Sequence, residues 1–246
     1  MSLPVHLVPS LGDATEGAVV TVEGAEAHHA VTVRRLRVGE AVVLTDGVGT
    51  SAQGVVSSTG RRAFEVTVST VSDSPAPSPS VVVVQALPKG DRGELAVEML
   101  TEVGVSSIVP WAAARSVAAW RGERATKSLA RWRSTAREAA KQARRSWFPA
   151  VEELASTSDV AALLGSADLA VVLHEEALAP LASLDVPDVG LVAVVVGPEG
   201  GLTDEEVAAF AGSGAQLVRL GAEVLRTSTA GVAAVSALLS RTPRWA

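Results

Sequence analysis

A chain of 246 residues with 48% hydrophobic side chains is long enough to bury one large core or two modest ones without covalent staples. It has no cysteine, which excludes disulfides, thiolate metal sites and cysteine nucleophiles, and fits a reducing compartment. The net charge of −6 argues against generic nucleic-acid binding, but the charge is unevenly spread: Arg115–Arg145 holds ten Lys and Arg against Glu123 and Glu138, about +8, leaving about −14 for the rest.

Met1–Ser10 has no basic start followed by an apolar stretch, so it does not read as a signal peptide. No apolar run approaches the roughly 18–20 residues of a membrane-spanning helix. The expectation is a soluble, cytoplasmic protein that uses no membrane.

Ala25–Leu36 has helical spacing. Glu40–Thr45, Ser51–Ser57 and Ala63–Val71 then read as short strands, with Asp46-Gly47 and Thr59-Gly60 as turn pairs between them. Strands this close together predict a small barrel or sandwich. The stretch Ser72–Ser80, SDSPAPSPS, sustains neither a helix nor an inner strand and reads as a linker. The expected domains are therefore residues 1–72, a linker at 73–80, and residues 81–246.

Past the linker the rhythm becomes strand–helix alternation. Val81–Leu87, Ser107–Trp111, Leu169–Leu173, Leu191–Val196 and Gln216–Leu220 are continuous apolar runs, which suits strands buried on both faces of a parallel sheet. Helical stretches fall at Arg92–Val103, Glu123–Arg145, Asp204–Ala211 and Ser228–Ser240. The fold class is an open α/β sheet covered by helices. Within Glu123–Arg145, Leu129, Trp132, Ala136, Ala139 and Ala143 share one face, flanked by Arg131, Arg137, Lys141, Arg144 and Arg145. Trp132 is expected in the core; a base-stacking role is the lesser reading for Trp120 and Trp147.

Ligands of an open parallel sheet bind beyond the carboxyl ends of its strands, and three such ends carry unusual residues. Val196-Gly197-Pro198-Glu199-Gly200-Gly201 follows one strand, where glycines let backbone amides approach a ligand, though an ordinary strand-to-helix turn has the same ingredients. Thr203 and Glu206 form a capping box for the next helix. The loop matches neither G-x-G-x-x-G nor a P-loop, which disfavours a dinucleotide or triphosphate. The second end is Leu220-Gly221-Ala222-Glu223-Val224-Leu225-Arg226, where Arg226 is the single cation of an otherwise apolar turn, serving either an ion pair or a substrate. The third is Leu173-His174-Glu175, whose histidine is a packing residue or a catalyst. The four histidines lack metal-ligand spacing, and no metal is expected.

Together these loops resemble the cofactor cradle of the SPOUT class of methyltransferases, and more narrowly the RsmE-type family of ribosomal RNA uridine-N3 methyltransferases. The resemblance spans nearly the whole chain: HHAVTVRRLRVGE at His28–Glu40, Leu87-Pro88-Lys89-Gly90, the Glu98–Val105 stretch, the GPEGG loop, and LGAEVLRTSTA from Leu220. It implies a PUA-like β-barrel domain that binds RNA, a SPOUT-type parallel-sheet domain tied in a trefoil knot, and a homodimer. It also implies S-adenosyl-L-methionine as cofactor, held by Leu173, His174, Gly197, Glu199, Gly200, Gly201, Leu220, Gly221, Val224 and Leu225. The product would be 3-methyluridine in 16S ribosomal RNA of the small ribosomal subunit.

Two positions depart from the family pattern. Ser228 stands where a Glu is usual after VLR, and Lys141-Gln142-Ala143-Arg144-Arg145 replaces an E-Q-x-G-R run. Uridine N3 carries a proton and must lose it before or during methylation. Arg226 is the candidate for stabilising the resulting anion on O2 or O4, and being always protonated it is not the base. His174, Glu199 or solvent are the candidates for accepting the proton. RNA contacts are expected from Arg34, Arg35, Arg37, Arg61 and Arg62 in the small domain and from Arg131, Gln142 and Arg145 of the basic run. The alternatives are a non-catalytic RNA-binding or ribosome-assembly protein that kept the fold, and a doubly-wound nucleotide-binding enzyme. Pro88-Lys89-Gly90 after the first strand speaks against the latter.

Overall fold

A computed structural model describes residues 3–245, which form two compact units: residues up to 76 with 141–148, and residues 77–140 with 149 onward. Met1, Ser2 and Ala246, the outer limits of the two expected domains, lie outside the described residues.

The first unit is one sheet. β1 (Val5–Leu7), β2 (Val19–Glu23), β3 (Ala41–Thr45), β4 (Thr50–Thr59) and β5 (Ala63–Asp73) lie in the order β1-β3-β4-β5-β2, antiparallel except for the parallel β1–β3 pair. Register shifts at Gln53/Gly54 and Val56/Ser58 are bulges that add twist and curl the sheet. Val42, Leu44, Ala52, Val56, Phe64, Val66 and Val68 alternate onto its inner face, with Ala27 and Ala30 packed into the same cluster. The helix expected over Ala25–Leu36 is shorter: α1 (Gly24–His28) passes into one wide π turn, His29–Val33, and Arg35 turns the chain with φ +56°. β1 and β2 lie outside the expected strands: β1 has only three residues, and β2 is mostly exposed.

Residues 141–148 belong to this unit. Val48 bridges Trp147, Gly49 N donates to Ser146 O, and Phe148 N donates to Gly47 O. Trp147 Nε1 donates to Ser74 O at 2.8 Å and its ring lies where a Cβ on Gly49 would stand. Its indole is thus engaged within the first unit.

The second unit holds β6 (Ser80–Ala86), α2 (Arg92–Glu102), β7 (Ser107–Trp111), most of α3 (Glu123–Gln142), β8 (Ala150–Val151), α4 (Thr157–Gly165), β9 (Leu169–Leu173), β10 (Leu191–Val196), α5 (Asp204–Gly212), β11 (Gln216–Val218) and α6 (Thr227–Leu239). The sheet is parallel throughout, ordered β11-β9-β10-β6-β7-β8. Val81, Val83 and Leu87 face one apolar cluster and Val82, Val84 and Ala86 the other. Both faces being buried explains why the strands read as unbroken apolar runs. α4, whose Ser156–Asp159 capping box starts it, and the two-residue β8 were not anticipated. No helix among the described residues is long and apolar enough to cross a membrane.

Helix α3 departs from expectation at its end. It stops at Gln142, where the chain turns through Ala143 and Arg144 with φ +53°. Ala143 is exposed, and Lys141, expected on a solvated flank, is 9% exposed. Leu129, Trp132, Ala136 and Ala139 are buried as the spacing predicts. Trp120 packs edge-on against Trp132 at 5.0 Å and 80°.

Candidate functional site

β11, β9 and β10 are neighbours in the sheet, so the three loops leaving their carboxyl ends are neighbours too. They enclose a cleft of about 620 Å³, within the range of small-molecule sites. Leu173 and His174 line it from β9, Gly197, Glu199, Gly200 and Gly201 from the loop after β10, and Leu220, Gly221, Val224, Leu225 and Arg226 from the segment between β11 and α6. The structure thus brings together all eleven residues singled out for cofactor and catalysis, from positions 173 to 226. Arg226 precedes the first turn of α6 with an exposed side chain.

Each loop has a local cause. Gly200 sits against Arg115: a Cβ there would stand 3.0 Å from the Arg115 Cβ and 3.1 Å from its carbonyl oxygen. Gly201 has φ +71°, which favours glycine. Thr203 and Glu206 form the expected capping box, and the second oxygen of the buried Glu206 accepts from Ala114 N at 2.7 Å. Residue 115 is thereby placed so that Arg115 Nη1 donates to Gly200 O and Leu202 O at 3.3 and 3.0 Å. Glu205, in the first turn of α5, is held below the usual carboxylate range by hydrogen bonds from its own backbone amide and from Thr203.

Several contributors carried no sequence signal. Arg92, Arg115 and Arg219 line the cleft with Arg226, facing Glu175, Glu176, Glu199, Asp204 and Glu223, so the lining is mixed in charge. Glu199 Oε1 accepts from Lys89 N at 3.2 Å and pairs with Arg92 at 3.4 Å, which makes it a brace to the Pro88-Lys89-Gly90 turn. His174 Nδ1 accepts from Glu176 N at 3.2 Å, so the neutral ring carries its proton on Nε2. Gln85, Lys89 and Arg115 are distant in sequence from the loops they hold, and pattern reading has no means of pairing them.

None of the eight residues singled out for RNA is among this cleft's lining residues. Arg34, Arg35 and Arg37 follow the π turn and Arg61 and Arg62 form the β4–β5 turn, all exposed, with no ion pair among the described residues. Gln142 and Arg145 belong to the 141–148 segment of the first unit, and Arg131 pairs with Glu94 at 3.3 Å. The basic run is largely compensated: Arg133 pairs with Glu153, Lys141 with Glu26, and Arg115 is spent on carbonyls. No group of three or more potential metal ligands occurs among the described residues.

A cleft at the carboxyl ends of such a sheet, in a chain that also carries a small curled β unit, is what a SPOUT-type RNA methyltransferase with a PUA-like domain has. Models described as an RNA methyltransferase domain and an RNA methyltransferase PUA domain match residues 75–239 and 22–69. The ribosomal RNA small subunit methyltransferase E of Mycobacterium bovis is 46% identical over 237 residues, 93% of this chain and 89% of that protein. The enzyme of the same name from Neisseria gonorrhoeae, solved bound to S-adenosylmethionine, superposes with TM-score 0.86 at 26% identity, covering 97% of this chain and 98% of that one. A methyltransferase of Legionella pneumophila, solved with bound S-adenosylmethionine, gives TM-score 0.87 at 25% identity over 98% and 99%. The chain belongs to the ribosomal RNA small subunit methyltransferase E family.

Proposed function

We propose that this protein transfers a methyl group from S-adenosyl-L-methionine to N3 of a uridine in 16S ribosomal RNA, working as a homodimer on the small ribosomal subunit or its RNA. The observation that carries the reading is the convergence of three separate loops, with Arg226 among them, on one cleft of about 620 Å³.

The residues present fit the cofactor. Gly197, Gly200 and Gly221 bring backbone close to the cleft without a side chain in the way, and the mixed lining suits a ligand carrying both an ammonium and a carboxylate. S-adenosylmethionine supplies an electrophilic methyl on a sulfonium sulfur. Leu173, His174, Leu220, Gly221, Val224 and Leu225 with the Gly197–Gly201 loop hold it. Arg226 carries a permanent positive charge and faces the cleft beside no ion-pair partner among the described residues. It stabilises the negative charge that develops on the uracil oxygens as N3 loses its proton. Glu199 Oε1 already accepts from Lys89 N and Arg92, and His174 Nδ1 from Glu176 N, which favours water as the acceptor of the proton. The small N-terminal domain, expected over residues 1–72, serves to grip RNA through Arg34, Arg35, Arg37, Arg61 and Arg62, with Arg131, Gln142 and Arg145 adding phosphate contacts.

Nucleoside mass spectrometry of ribosomal RNA from a strain lacking the gene tests this. The expected result is loss of 3-methyluridine from small-subunit RNA, its return with the wild type, and no return with Arg226→Ala. A 3-methyluridine level that never changes, while the purified protein still binds S-adenosylmethionine, overturns the target and leaves the methyltransferase reading standing.

A further inference from the structure

Gln85 is a polar residue in the middle of the apolar parallel sheet. It is the penultimate residue of β6, pairs in register with Val196 of β10, and is completely buried. Its amide nitrogen donates to Thr227 Oγ1 at 2.9 Å and to Ala86 O at 3.1 Å, so both of its N–H groups are used. Its Oε1 has no hydrogen-bond partner among the described residues. A buried carbonyl left in this state costs stability, and an apolar side chain of similar size suits this strand better. Packing therefore does not account for Gln85.

What the amide does is directional. Thr227 Oγ1, accepting from Gln85, donates in turn to Gly197 O at 3.0 Å. Gly197 opens the glycine loop after β10, and Thr227 is the first residue of α6, directly after Arg226. The relay Gln85–Thr227–Gly197 ties one strand end to two of the three loops that form the cleft. Glu199, two residues beyond Gly197, is braced to Lys89, four residues beyond Gln85.

We infer that Gln85 is a positioning residue for the cleft, acting through the Thr227 hydroxyl to set the Gly197 carbonyl and the turn that presents Arg226. The catalytic consequence rests on the methyl-transfer reading above; the geometric one does not. A reacting group displaced by about 1 Å loses on the order of a hundredfold in rate, so the relay acts on turnover more than on cofactor affinity.

The test uses the full-length protein as wild type, Gln85→Leu, Thr227→Val, the double variant, and Thr227→Ser, which keeps the hydroxyl. Amide hydrogen exchange over residues 196–202 and 220–227 reads the relay directly. Gln85→Leu and Thr227→Val are each expected to speed exchange there about tenfold, about what one broken hydrogen bond gives. Leu169–Leu173 of β9 should keep its protection, and Thr227→Ser should stay near wild type. In methyl transfer, kcat is expected to fall ten- to hundredfold with KM for S-adenosylmethionine changed less than threefold, and the double variant to fall no further than the worse single one. Unchanged exchange in the two loops overturns the inference, as does equal loss of protection in β9, which marks a merely structural role. If the wild type neither binds the cofactor nor transfers methyl, the proposed function fails, while the exchange comparison still decides the relay.

Discussion

Replacing Lys141 by methionine removes the charge of a side chain that is 9% exposed and lies 2.9 and 3.2 Å from the two carboxylate oxygens of Glu26, itself 17% exposed. Breaking one partner of a buried pair costs about 3–5 kcal/mol. His6 Nδ1, 3.1 Å from Glu26 Oε1, remains to share the carboxylate, which places the expected loss near about 2–3 kcal/mol. At about 2–4 °C per kcal/mol for a protein of this size, the Tm should fall by roughly 5–10 °C. Methionine keeps the aliphatic stem, so lost packing contributes little. The assay is calorimetry on a cycle of wild type, Lys141→Met, Glu26→Leu and the double variant. The double should lie well above the sum of the singles, since removing both charges leaves no uncompensated one. Strict additivity, or a Lys141→Met Tm equal to wild type, refutes the reasoning.

The same pair sets a pH dependence. Burial pushes the Glu26 carboxyl up, but hydrogen bonds from His6 and Lys141 and their positive charges outweigh it and hold it below its ordinary 4.5. A carboxyl lowered by folding contributes stability above its unfolded value and loses it as the pH falls through the folded one. The stability gap between wild type and Glu26→Gln is therefore expected to be full at pH 6 and to close below about pH 4.5.

Two further outcomes follow from the geometry. Gly200→Ala forces a Cβ to within 3.0 Å of Arg115 Cβ and 3.1 Å of its carbonyl; overpacking of this kind costs about 1–3 kcal/mol, so calorimetric titration should show S-adenosylmethionine binding weakened about ten- to hundredfold, and unchanged affinity counts against the packing described. Changing Arg34, Arg35 and Arg37 to serine should reduce the slope of log affinity against log salt for ribosomal RNA by about 2, at about 0.7 per lost phosphate contact to single strands, with cofactor affinity untouched; an unaltered slope removes these residues from the RNA surface.

Much of the second unit was legible in the chain, because strands buried on both faces must be apolar without interruption, and Val81–Leu87, Ser107–Trp111, Leu169–Leu173 and Leu191–Val196 are such runs. The cleft loops were legible for a related reason: GPEGG and LGAEVLRTSTA each sit at a strand's carboxyl end, where ligands of an open parallel sheet bind. Short edge strands such as β1 and the two-residue β8 impose too little patterning to be read.

By itself the sequence carried the motifs that resemble the family, the alternation of strands and helices, and the three loops of the cleft, since each lies in a contiguous stretch of chain. Only the tertiary structure decided what those residues do to one another. Lys141 reads as a surface charge on an amphipathic helix, and becomes a buried partner because the end of α3 belongs to the first unit, where it meets Glu26. Glu199 reads as a loop residue alone until its carboxylate meets Lys89 N, 110 positions away, and Gln85 reads as one more strand residue until Thr227, 142 positions away, meets its amide. Hydrogen bonds and ion pairs between distant positions have no period in the sequence, and the folded chain alone assigns them.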